Sequence, residues 1–132
     1  MDNFLGWTDE QIEDLINRVY GGVVSSKALP MDLYESILER FDESIMDGFG
    51  GVGDTVAKSN LFVKFTDNIK QFSFAKTFQQ VNDMGNFIFD KAGNQIAFSE
   101  FKKSASQIFE VYNNNWLETE FNTAKSITES AR

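Results

Sequence analysis

Apolar residues recur at intervals of three and four along almost the whole chain, and that period commits most of it to amphipathic helix. Ile12, Leu15, Ile16 and Val19 share one face of a helix that Thr8 caps, with Asp9 and Glu10 on its first turn, and Gly21-Gly22 ends it after Tyr20. Pro30 fits the first turn of a second helix, on which Leu33, Ile37, Phe41 and Ile45 repeat every fourth residue as a buried stripe until Gly48 stops it. Leu61, Phe62, Phe65, Ile69 and Phe72 outline a third helix, and Ser73 offers a cap for a fourth carrying Phe74, Phe78, Val81 and Ile88. Ser99 offers a cap for a fifth, with Phe101, Ala105, Ile108 and Tyr112 on its inner side. Residues 117–132 place Leu117, Phe121, Ala124 and Ala131 close to one face, with Ile127 beside them. The pattern predicts an all-α domain, a bundle of five or six helices. It leaves room for one small β-hairpin near residues 86–98, where the flanks of the turn at 91–94 alternate in part.

The 132 residues fit a single domain, which can bury roughly two-thirds of its unfolded surface without disulfide or metal staples. The Gly-rich loop 48–53 is where it would subdivide. No Gly or Pro stops the last helical pattern before Arg132, so the sequence reads as the N-terminal part of a longer protein. Charge changes at the same glycines. Residues 1–54 hold 12 acidic and 3 basic side chains, net −9, whereas residues 55–132 hold 8 acidic and 9 basic, net +1. An acidic front half repels phosphate backbones, so direct nucleic-acid binding is not expected, and it suits a solvated surface or docking to a basic partner. No run approaches the roughly 18 apolar residues of a membrane span, and Met1-Asp2-Asn3 lacks the features of a secretory leader. The expectation is a soluble chain made in the cytoplasm.

With no Cys and no His, the chain has no thiol nucleophile, disulfide, imidazole metal site or Ser-His-Asp triad. Carboxylates are plentiful, but Glu10 with Asp14 and Glu39 with Glu43 fall on the polar faces of predicted helices, and Glu118 and Glu120 point in different directions. A glycosidase needs two carboxylates held across one cleft. Gly48, Gly50 and Gly53 match a dinucleotide fingerprint in form, yet a helix precedes them and Asp54 follows with the wrong charge for phosphate. Asp90 to Phe101 imitates a calcium loop, but Ala92 removes the third-position ligand, Gln95 replaces the Gly and Glu100 falls one place early. Lys58, Lys64, Lys70 and Lys76 recur every six residues and so scatter around a helix instead of forming one basic stripe. No catalytic residue, cofactor or metal is expected, and the chain is read as a non-enzyme. The 14 Phe are the compositional surplus. Most suit a helical core, while Phe49, Phe87 or Phe89 could form an exposed patch that buries against another subunit, as in a homo-oligomer.

Several short blocks carry a resemblance. They are residues 71–80 (Gln-Phe-Ser-Phe-Ala-Lys-Thr-Phe-Gln-Gln), residues 98–101 (Phe-Ser-Glu-Phe), and the run from Tyr112 through Trp116-Leu117-Glu118-Thr119-Glu120-Phe121-Asn122-Thr123-Ala124. These resemble the N-terminal region of phage minor head proteins, the head-morphogenesis proteins similar to protein F of phage Mu, including prophage forms from Bacteroidetes-type bacteria. The similarity spans roughly residues 60–132, and loosely also residues 29–34 and 47–50. The resemblance implies a structural protein without a cofactor, associated with portal or capsid proteins during head assembly in the host cytoplasm and afterwards in the virion. It singles out Trp116, Glu120, Phe121, Asn122 and Thr123 as candidate partner contacts. The rival expectation is a small helical adaptor or regulatory domain that takes a partner helix in a groove.

Overall fold

The computed structural model describes residues 4–48 and 56–116, with Thr119 and Asn122; of residues 44–48, 56–66, 115 and 116 it describes the backbone alone. Its described residues are mostly helical: α1 (Asp9–Tyr20), α2 (Met31–Gly48), α3 (Val56–Gly85) and α4 (Phe98–Glu110), with α4 running directly into a π-helical turn, Val111–Trp116. These residues are all-α in class, but four α-helices stand among them where five were expected, and the further helical segment expected at 117–132 lies outside them apart from Thr119 and Asn122.

Local chemistry accounts for the elements. The Thr8 hydroxyl accepts from the Gln11 N–H at 3.2 Å while the Gln11 side chain accepts from the Thr8 N–H at 2.8 Å, a capping box that starts α1. Leu15, Ile16 and Val19 are buried below it. Gly22, at φ +77°, turns the chain in a conformation that a side chain would strain. Arg18 then joins α1 to α2, reaching Asp14 at 2.9 Å and Asp32 at 2.7 Å. The Pro30 carbonyl accepts from the Tyr34 N–H at 3.2 Å and opens α2, and Leu33, Ile37 and Phe41 form its buried stripe. Ile45 and the glycines beyond Gly48 lie outside the described side chains and residues, so the proposed subdivision at 48–53 does too.

The expected third and fourth helices are one. No Gly or Pro occurs from Val56 to Met84, and Ser73 does not cap: its side chain is fully buried, and its carbonyl accepts from the Thr77 hydroxyl at 2.7 Å within the helix. At 30 residues α3 is about 45 Å long. The fifth helix also starts earlier than expected. Ala97, not Ser99, is its cap and makes no side-chain cap bond. Tyr20 fixes this start, its hydroxyl donating to the Ile96 carbonyl at 2.6 Å and its ring meeting Phe98 edge-on at 5.3 Å.

The hairpin is reduced to a single bridge, Phe89 with Gln95, and no strand occurs among the described residues. The Asp90 carboxylate accepts from the Ala92 and Asn94 N–H groups, both at 2.9 Å, and winds the turn tightly. Ile88 and Ile96 reach the core, and α4 begins two residues after Ile96, which leaves no length for a ladder.

α2 packs on α3, and α1 and α4 pack on each other and on α3. The core between them holds Leu15, Ile16, Leu33, Ile37, Met84, Phe101 and Phe109, all at most 2% exposed. Trp7 joins it, its ring 5.6 Å from Phe109 and its indole N–H donating to the Ser36 hydroxyl at 2.8 Å.

Candidate partner-binding surface

α3 distributes its side chains contrary to the usual amphipathic rule. Ser73, Thr77 and Gln80 are fully buried together with Val81 and Met84, whereas Phe74 is 55% and Phe78 38% exposed. The spacing explains the inner face: 73, 77, 80 and 84 follow one another by four, three and four, a helical stripe whose members happen to be polar at three positions. Phe74 and Phe78, one place further on, fall to its flank. Phe72 occupies the opposite flank and packs on Phe41 at 5.0 Å. The expectation that α3 would turn Phe74 and Phe78 inward with Val81 is corrected on this ground.

Phe74 borders a cleft of about 450 Å³ whose other walls are Ser26, Lys27, Leu29, Met31 and Tyr34. Met31 is 57% exposed. Met31 and Tyr34 stand on the first turn of α2 and Phe74 on α3, while Leu29 belongs to the connection just before α2. A second exposed apolar group lies where the chain leaves α3: Phe87 and Phe89 are well exposed, and Phe87 shares a shallow cleft of about 300 Å³ with Ile108, Val111 and Tyr112. Exposure of Phe87 and Phe89 agrees with the sequence reading, and Phe49 lies outside the described residues. Phe74, Phe78, Phe87 and Phe89 are thus four solvent-facing Phe among ten with described side chains, far from a wholly internal surplus.

Lys27 and Tyr34 line the first cleft and Asp83 and Tyr112 the second, while the carboxylate pairs read from the sequence lie elsewhere. Glu10 is exposed on α1, and Asp14 on the same helix is held by Arg18; Glu39 is exposed on α2, where Glu43 pairs with Arg40 at 2.8 Å. The pair 118 and 120 lies outside the described residues. Arg18 has its pKa raised, first by its hydrogen bond to Asp32. Burial raises that of Asp42, opposed by Lys70. Among the described residues no group of three or more potential metal ligands occurs, and no helix is long and apolar enough to cross a membrane.

Beneath the surface lies a polar network that sequence reasoning missed. Gln80 and Asn113, both fully buried, exchange two amide hydrogen bonds of 2.7 and 3.2 Å across 33 positions. The Tyr112 hydroxyl donates to Asp83 at 2.7 Å. Burial first, then that bond, push the Tyr112 phenol up to about 12. Its folded pKa is therefore raised above the ordinary value near 10, so its contribution to stability is whole below about pH 10 and is lost as pH rises through about 12. A Tyr112→Phe variant should lack a phenolate absorbance step near pH 12 and lose that part of the alkaline fall in stability; identical titration curves would contradict the arrangement.

Of the five contacts expected from the C-terminal run, Trp116 closes the π-helical turn with only its backbone described, and Asn122 is helical and exposed. Glu120, Phe121 and Thr123 lie outside the described residues. The sequence signal for the exposed apolar surface was weaker than theirs: only the polar stripe 73, 77, 80, read as an inner face, reveals that Phe74 and Phe78 must point elsewhere. Comparison with protein-family models, with curated proteins and with solved structures returned no match.

Proposed function

We propose that this chain is a helical assembly module that carries out no reaction of its own and works by seating a protein partner on the Phe74–Met31 surface. The observation that carries this reading is the solvent-facing pair Met31 and Phe74 at a cleft of about 450 Å³, with the exposed Phe78 one turn further along α3. Burying a fully exposed Phe side chain returns about 1.5–3 kcal/mol, and covering the exposed parts of Phe74 and Phe78 returns a share of that, so this surface is stabilised when covered. Aromatic and Met side chains are also those enriched at the centres of interfaces.

The partner proposed from the resemblance is a portal or capsid protein of a phage or prophage, met in the host cytoplasm during head assembly and kept in the virion. Trp116, Glu120, Phe121, Asn122 and Thr123 would supply further contacts in that complex. The test is co-purification of the chain with a portal ring and with procapsids. Retention on either is the expected result, and a chain that leaves both untouched ends the head-assembly reading.

The adaptor reading has its own support in a groove of about 240 Å³ between α1 and α4, with Ile12, Ile16 and Phe109 at its base and Glu13, Lys102 and Glu110 at its rim. Its size suits one or two inserted side chains and falls below that of a typical small-molecule site. Binding of a partner helix there, with portal and procapsid ignored, would favour it.

A further inference from the structure

α4 changes register at its end. Residues 111–116 form a π-helical turn, an arrangement that is rare and persists where surrounding contacts hold it. Here two elements hold it, α3 and the N-terminal segment. Asn113 Nδ2 donates to Gln80 Oε1 at 2.7 Å and Gln80 Nε2 donates to Asn113 Oδ1 at 3.2 Å, from α3. The Tyr112 hydroxyl reaches Asp83 on the same helix. The Asn113 carbonyl accepts from the Phe4 N–H at 3.1 Å, from the N-terminal segment.

The burial pattern shows why the register matters. Phe101, Ala105 and Phe109 are buried at four-residue spacing, and a continuing α-helix would bring Tyr112 inward with Asn113 carried 100° past it toward the edge of that face. Tyr112 and Asn113 are nevertheless both buried, because the wider turn advances less per residue and draws Asn113 under Gln80. A buried amide left alone is costly, while an apolar pair of like shape in both places would be nearly neutral. The amide pair therefore discriminates between registers more than it adds stability.

We propose that the Gln80–Asn113 pair is a register lock and that Val111–Trp116 is the two-register hinge it controls. With the lock closed, the turn stores one extra residue. With the lock open, the helix returns to i→i+4 bonding, the backbone at Trp116 is carried by about 100° around the helix axis, and the Phe4 contact is lost. The N-terminal segment and the chain that follows α4 are thereby coupled through one carbonyl. This inference does not depend on the assembly reading.

The experiment compares Gln80→Leu, Asn113→Leu and the double variant by denaturant unfolding, by backbone NMR of residues 111–116 and by hydrogen exchange at Phe4. Each single variant strands one buried amide and should raise the unfolding constant about tenfold or more. The double variant should regain most of that loss yet show i→i+4 connectivities through 111–116 and fast exchange at Phe4. A double variant that keeps i→i+5 connectivities and a protected Phe4 overturns the lock. The unaltered protein gives a second reading that needs no folded variant. Phe4 and the amides that close the π turn should exchange with one common opening constant, and independent exchange of Phe4 overturns the coupling.

Discussion

Replacing Phe101 with Ala is expected to lower the unfolding free energy by about 3–5 kcal/mol, a large share of the roughly 5–15 kcal/mol that holds a domain of this kind together. Phe101 has no exposed surface, stands on the first turn of α4 and lies 5.2 Å from the Tyr20 ring, where the loop from α3 meets α1. Truncation opens a cavity at a point where three elements converge, and the helices around it have little freedom to collapse. Urea unfolding followed by helical circular dichroism measures the loss. Phe89→Ala is the internal contrast: at 58% exposure it should change stability by no more than about 0.5 kcal/mol. Equal effects at the two positions would mean that the core has been placed wrongly.

The second large effect concerns binding. Phe74→Ser combined with Phe78→Ser should cost far less stability than Phe101→Ala, because both rings are partly in solvent, yet weaken capture by portal or procapsid about 100-fold. Single aromatic anchors at interface centres are worth about 2 kcal/mol or more, and two on adjacent turns of one helix act on the same contact. Titration of immobilised portal with wild-type and doubly substituted chain reads the change directly. Unchanged affinity would remove α3 from the interface and shift attention to the α1–α4 groove.

Where the sequence was sufficient, one face of a helix was unambiguous. Thr8 with Gln11 marks the start of α1, and Leu15, Ile16 and Val19 admit a single inner side; Leu33, Ile37 and Phe41 do the same for α2. α3 was harder because Phe72 points to one flank and Phe74 and Phe78 to the other, so hydrophobicity alone chooses no face. Its phase is decided by Ser73, Thr77 and Gln80, residues that a hydrophobic scan passes over. The polar group that Gln80 needs is 33 positions away, beyond the turn at 91–94 and the whole of α4. The start of α4 depends likewise on a distant residue, Tyr20, acting on Ile96 and Phe98. As for the site, exposure of Phe87 and Phe89 could be anticipated from their places beside the turn. The Phe74–Met31 cleft could not, since it exists only once α2 and α3 are packed together.

The choice of face on α3 has a geometric corollary. Judged by apolar area alone, the helix should have been rolled to bury Phe74 and Phe78. Ser73 and Thr77 are much smaller than two phenyl rings, and the distance between helix axes follows the size of the side chains at their contact. Ser73 and Thr77 thus form a small polar seam on the buried face of α3, and Gln80 on the same seam meets its amide partner Asn113. With these polar residues turned inward, two aromatic rings of α3 are left on its exterior, where a partner can reach them.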